Sequence, residues 1–156
     1  MIEFEFLPRA DDPSWGKQGL AGRPAHTLTA NDFTFHCFNA DVVISDDEKN
    51  IHLKTPGLPV VDFVLMLVQL YREVVESGES SVESSQSQDS ISALRRGDEV
   101  EITYSFSGTV TRVPFDQFGK VPQRALQSAL AVLNAAHGDL IGNQYLTDLA
   151  NLVLLD

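Results

Sequence analysis

The sequence predicts an α+β fold in one domain, and three observations carry that reading. Short stretches with alternating apolar and polar residues recur along the chain. Two longer stretches carry helical apolar spacing. No stretch repeats, and the strands and helices do not alternate as a parallel sheet would require. The expected architecture is an antiparallel sheet of about five to seven strands, with two or three helices packed on it.

The elements follow in order. In Met1–Leu7, Ile2, Phe4 and Phe6 face one way while Glu3 and Glu5 face the other, the pattern of a half-buried strand ended by Pro8. Arg9–Ala30 is rich in Gly, Pro and polar residues and reads as a long irregular crossing that carries the single tryptophan, Trp15. Asp32–Phe38 alternates through Phe33, Phe35 and Cys37 and reads as a strand. Asp41–Ser45 and Asn50–Lys54 read as a hairpin whose polar tip is Asp46–Asn50.

Pro59 suits the start of a helix over Val60–Glu76. That helix is apolar on nearly every side, because Asp62, Gln69, Arg72, Glu73 and Glu76 fall in one stripe. It must be covered by the sheet and by other helices or a second subunit, so a homodimer through Val60–Val75 is one expectation.

Between Ser77 and Ser92, eight of sixteen residues are serine. Ser77–Ser90 has no aromatic residue, one aliphatic residue and no Lys or Arg, so it reads as a mobile acidic loop. Neither flank holds a complete set of elements, so the loop lies inside a single domain spanning residues 1–156.

Ile91–Leu94 reads as a strand and Arg96-Gly97-Asp98 as its turn. Glu99–Phe106 alternates without fault, with Val100, Ile102, Tyr104 and Phe106 inward. Ser107-Gly108 as a two-residue turn would pair Tyr104 with Thr111 and Ile102 with Val113. Phe115–Ala136 has helical spacing interrupted at Gly119 and Pro122, so a short first turn, a kink and a regular helix are expected. Gly138 stops it, and Asn143 caps a last helix.

Charge narrows the function. Eleven Lys and Arg stand against 22 Asp and Glu, a net charge of −11. Nucleic acid and anionic membrane surfaces are disfavoured partners, whereas a basic protein would be attracted. The N-terminal residues lack a signal-peptide pattern, and no apolar run is long enough to span a bilayer, which points to the cytoplasm.

Catalytic patterns do not emerge. The four histidines have no zinc-helix spacing, and one cysteine cannot build a zinc ribbon, so no metal or other cofactor is expected. His36 and Cys37 are adjacent, and consecutive strand residues point to opposite faces. The Gly-rich run Gly16–Gly22 lacks the flanking strand and helix of a phosphate loop.

The candidate contact residues are therefore acidic. Asp46, Asp47 and Glu48 at the hairpin tip come first, followed by Asp11 and Asp12. Trp15 reads as a core anchor for its loop, and as an interface hot spot if it is exposed beside Asp11 and Asp12.

The stretch DSISALRRGDEVEITYSFSGTVTRVPFDQF, followed by QRALQSALAVL, resembles small bacterial immunity proteins of contact-dependent inhibition and polymorphic toxin systems. The likeness covers about Asp89 to His137, and no site residue carries over from it. It implies a non-enzymatic cytoplasmic inhibitor that binds one toxin domain, often a basic nuclease. The competing expectation is an acidic secretion chaperone, a dimer that holds an extended segment of a secreted partner.

Overall fold

The computed structural model describes residues 2–47, 49–85 and 87–154, and the side chains of 54–56 lie outside that description. Alternating sequence becomes antiparallel sheet, as expected. Among the described residues seven strands form, but they divide between two sheets. Strands β1 (Ile2–Pro8), β2 (Asn39–Asp46) and β3 (Lys49–Pro59) pair in that order. Strands β4 (Glu79–Glu83), β5 (Ser90–Arg96), β6 (Glu99–Tyr104) and β7 (Ser107–Pro114) form the second sheet.

The sheets are separated in the chain by a long helix. Helix α1 (Val60–Ser77) follows β3 directly and runs 18 residues, about 27 Å at 1.5 Å per residue. The chain then re-enters strand structure at β4, which pairs with β5 and not with β3. Helix α1 packs against α3 (Lys120–Ala136), β4 and β5. Its Phe63 is fully buried, edge-on to Phe4 and Phe6 of β1 at ring-centre distances of 5.8 and 5.7 Å. The apolar circumference of α1 is thus covered from within the chain. Gln69, Arg72, Val75 and Glu76 are left outward.

Gly78 ends α1 in the left-handed region (φ 85°), with its N–H on the Val74 carbonyl. That is the helix stop glycine serves best. It turns the chain straight into β4, so the serine-rich stretch is not a loop throughout. Its hydroxyls find partners. Ser80 Oγ donates to the Glu73 carboxylate, and Ser81 and Ser92 Oγ lie 2.9 Å apart across the β4–β5 pair. Buried Asp62, in the first turn of α1, accepts from Ser84 Oγ and Ser85 N at 3.1 and 3.2 Å. Val82 supplies the one inward apolar contact of β4. One continuous core includes Ile2 and Phe63 together with Val82 and Leu133.

The β6–β7 hairpin forms out of the expected register, by two residues at Ile102 and by four at its tip, with an irregularity between Ile102 and Tyr104. Ser105 and Phe106 make the turn, Tyr104 faces Ser107, Ile102 faces Thr111 and Val100 faces Val113. An even shift leaves every side chain on its expected face, so alternation alone does not detect it. The observed register places Glu101 directly opposite Arg112, 3.7 Å from its guanidinium, and lets buried Tyr104 donate to Thr111 Oγ1.

Asp32–His36 is a single π-helical turn, not a strand, closed by Cys37 N on the Asp32 carbonyl at 2.8 Å. The local chemistry decides it. Asp32 accepts from both N and Oγ1 of Thr29, the reciprocal bond of a capping box, and from both terminal nitrogens of Arg23. Phe35 points outward, while Phe33 and Phe38 are buried. Phe38 holds a positive φ of 66°, a strained backbone for a bulky residue. Trp15, Phe33 and His137 surround its ring and hold it there.

The last third matches the expected pattern. Short helix α2 (Phe115–Phe118) breaks at Gly119, α3 follows, and α4 (Gln144–Leu154) is capped by Asn143, whose Oδ1 accepts from Leu146 N. No helix among the described residues is long and apolar enough to cross a membrane.

Candidate interaction site

The acidic candidates part company in three dimensions. Asp12 is a joint within the fold. Its Oδ1 accepts from N and Oγ of Ser14, and its Oδ2 accepts from N and Nδ2 of Asn39. Burial alone would raise its pKa, but those hydrogen bonds outweigh it and hold the carboxyl below its usual value. Asp11 stays exposed and pairs with Arg9, which also reaches Asp41 at 2.8 Å. Trp15 is half-buried, with its ring 5.1 Å from Phe38 and its Nε1 donating to the Asn39 carbonyl at 2.7 Å. It anchors the long loop to the start of β2. The Gly16–Gly22 run belongs to the same anchorage: a Cβ on Gly19 would sit 1.6 Å from the Pro13 carbonyl oxygen.

The long loop is fastened at its other end too. Arg23 grips Asp32 through paired bonds of 2.9 and 2.8 Å, and these bonds, ahead of those from Thr29, hold the Asp32 carboxyl well below the usual carboxylate range. A depressed folded-state pKa stabilises the fold above the unfolded value, about 3.9 for Asp, and that stabilisation disappears as pH falls. Asp32→Asn should therefore cost about 2 kcal/mol at neutral pH, a figure already reduced because Arg23 is half-exposed. In urea titrations the gap between wild type and variant should narrow on going from pH 7 to pH 3. A gap unchanged by pH would mean that the carboxylate charge is not what holds the loop.

Cys37 is buried under this loop, and burial, with the nearby charges of Asp32 and Asp12, pushes its thiol up to about 11. A thiol so protonated is a poor nucleophile, and adjacent His36 points to solvent. No group of three or more His, Cys, Asp or Glu able to hold a metal ion is found among the described residues.

Asp46 and Asp47, at the tip of β2, have a different setting; Glu48 lies outside the described residues. They line a half-open groove of about 330 Å³. Arg112 of β7, Lys120 and Arg124 of α3 and the apolar Ile2, Val113 and Val121 line the same groove. The basic residues went unnoticed in the sequence because β7 and α3 meet the β1–β2 end only in the folded chain. The Lys120–Arg124 spacing of four, one helical turn, was the available signal.

Elsewhere the acidic surface lies open. Glu3 and Glu5 stand on the outer face of β1, and Glu76, Glu79 and Glu83 form an exposed acidic cluster spread from the end of α1 along β4. None of these five makes an ion pair among the described residues. The outer face of the second sheet carries the cross-strand rows Glu79–Leu94–Glu101 and Ser81–Ser92–Thr103. These residues line a shallow trough of about 510 Å³ beside that cluster.

No protein-family model, no curated protein and no solved structure matches this chain.

Proposed function

We propose that this chain is a non-catalytic binding protein that neutralises a basic toxin domain in the cytoplasm, in the manner of the immunity proteins it resembles over residues 89–137. The observation that carries the reading is the charge: −11 overall, with exposed Glu3, Glu5, Glu76, Glu79 and Glu83 unpaired among the described residues. Such a surface speeds and orients the approach of a basic partner. The trough on the outer face of the second sheet adjoins the Glu76–Glu83 cluster and offers hydroxyls, carboxylates and exposed Leu94 to a folded surface. In this reading the partner's active face is blocked by shape as well as by charge.

The test is a titration against the C-terminal domain of a large secreted protein encoded beside this one. One-to-one binding should abolish the partner's activity and weaken with salt, because the Debye length shrinks to about 3 Å at 1 M. The triple variant Glu76→Lys, Glu79→Lys, Glu83→Lys should slow association at low salt by about tenfold or more. Absence of binding to the folded domain sinks the reading, and binding only to an unfolded segment of the partner would point to a chaperone.

A further inference from the structure

We infer that the groove between the β2 tip, β7 and α3 is a binding site for a small apolar carboxylate, independently of any toxin partner. The argument begins with charge distribution. Lys and Arg number 11 in a chain with 22 Asp and Glu, yet Arg112, Lys120 and Arg124 converge on this one groove. Lys120 and Arg124 lie one turn apart at the start of α3 and make no hydrogen bond or ion pair among the described residues. Arg112 is held loosely, 3.7 Å from Glu101. Three cations against the two carboxylates of Asp46 and Asp47 leave this groove net positive in a chain of net charge −11, and the positive end of the α3 dipole adds to the attraction for an anion.

The other features of the groove restrict the anion. Its lining includes buried apolar Ile2, Val113 and Val121, so a ligand that also buries hydrocarbon gains over an inorganic ion. Its volume of about 330 Å³ lies at the small end of ligand-sized cavities. Asp46 and Asp47 line the same groove and penalise a dianion, which favours a single negative charge. One carboxylate attached to an aliphatic or aromatic body meets all three conditions.

The experiment uses amide chemical-shift titrations of the full chain with 4-phenylbutyrate, 4-phenylbutan-1-ol and inorganic phosphate. Saturable shifts confined to Val113, Gln117, Val121 and Arg124 are expected with 4-phenylbutyrate. Its affinity should exceed that of the alcohol by about tenfold or more. Lys120→Gln with Arg124→Gln should remove that advantage while leaving the rest of the spectrum in place; both side chains reach solvent, so the fold survives the change. Equal binding of the alcohol would reduce the groove to apolar adhesion and overturn the inference. So would equal shifts with phosphate, an affinity unchanged in the double variant, or no saturable shift at all.

Discussion

Phe63→Ala is expected to lower the free energy of unfolding by about 4 kcal/mol, the largest loss from any single truncation considered for this chain. Phe63 has no solvent exposure and meets Phe4 and Phe6 edge-on. Removing the ring deletes its buried area, its aromatic pairings and the filling between α1 and β1 together. Domains of this size are stable by only about 5–15 kcal/mol, so the variant should unfold at far lower urea. Phe63→Leu, which keeps most of the volume, should lose about 1.5 kcal/mol. The measurement is equilibrium urea denaturation followed by tryptophan fluorescence, since Trp15 rests on Phe38 in the same core. A loss below about 1 kcal/mol for the alanine variant would show that α1 is not seated on β1 as described.

Asn143→Ala should cost about 3 kcal/mol, an unusually large effect for a residue that begins as a helix cap. Asn143 is fully buried and uses both ends of its amide. The Oδ1 caps α4 through Leu146 N, and Nδ2 donates to the carbonyls of Ala25 and Leu28 at 3.0 and 2.9 Å. Alanine leaves the Leu146 N–H and the Leu28 carbonyl without these partners in the interior, while the Ala25 carbonyl keeps only the Leu28 N–H. Asn143→Ser separates the roles, because serine can cap the helix but cannot reach both carbonyls. It should recover less than half of the loss, read from the same denaturation curves. Full recovery would mean that the cap alone matters and that the tie to the long loop is weak.

These two residues show how unevenly the sequence spoke. Phe4, Phe6 and Phe63 were legible as core because their spacing followed the strand and helix periods. The cap at Asn143 was legible too, since a polar residue stood before an apolar helical pattern. Its second attachment was not, because Ala25 and Leu28 lie more than a hundred residues earlier. The same limit explains Asp12, which looked like free surface charge and proved to hold Ser14 and Asn39. At Asp32 the missed signal was local: Thr29 and Asp32 stand at capping-box spacing, and the alternation of Phe33 and Phe35 masked it.

By itself the sequence determined the α+β class, the strand faces, the buried helix α1, the break at Gly119 and the acid excess. Each of these follows from side-chain period, backbone preference or charge, which neighbouring residues set among themselves. Only the tertiary structure decided that the strands divide between two sheets, that serine hydroxyls bound to Glu73 and Asp62 order much of the stretch after Ser77, and that the β6–β7 hairpin closes at Ser105-Phe106. It alone brought Arg112, Lys120 and Arg124 to Asp46 and Asp47. Those outcomes depend on which distant surfaces meet once the core closes, and a two-residue change of register or a strand's choice of sheet leaves the local pattern unchanged.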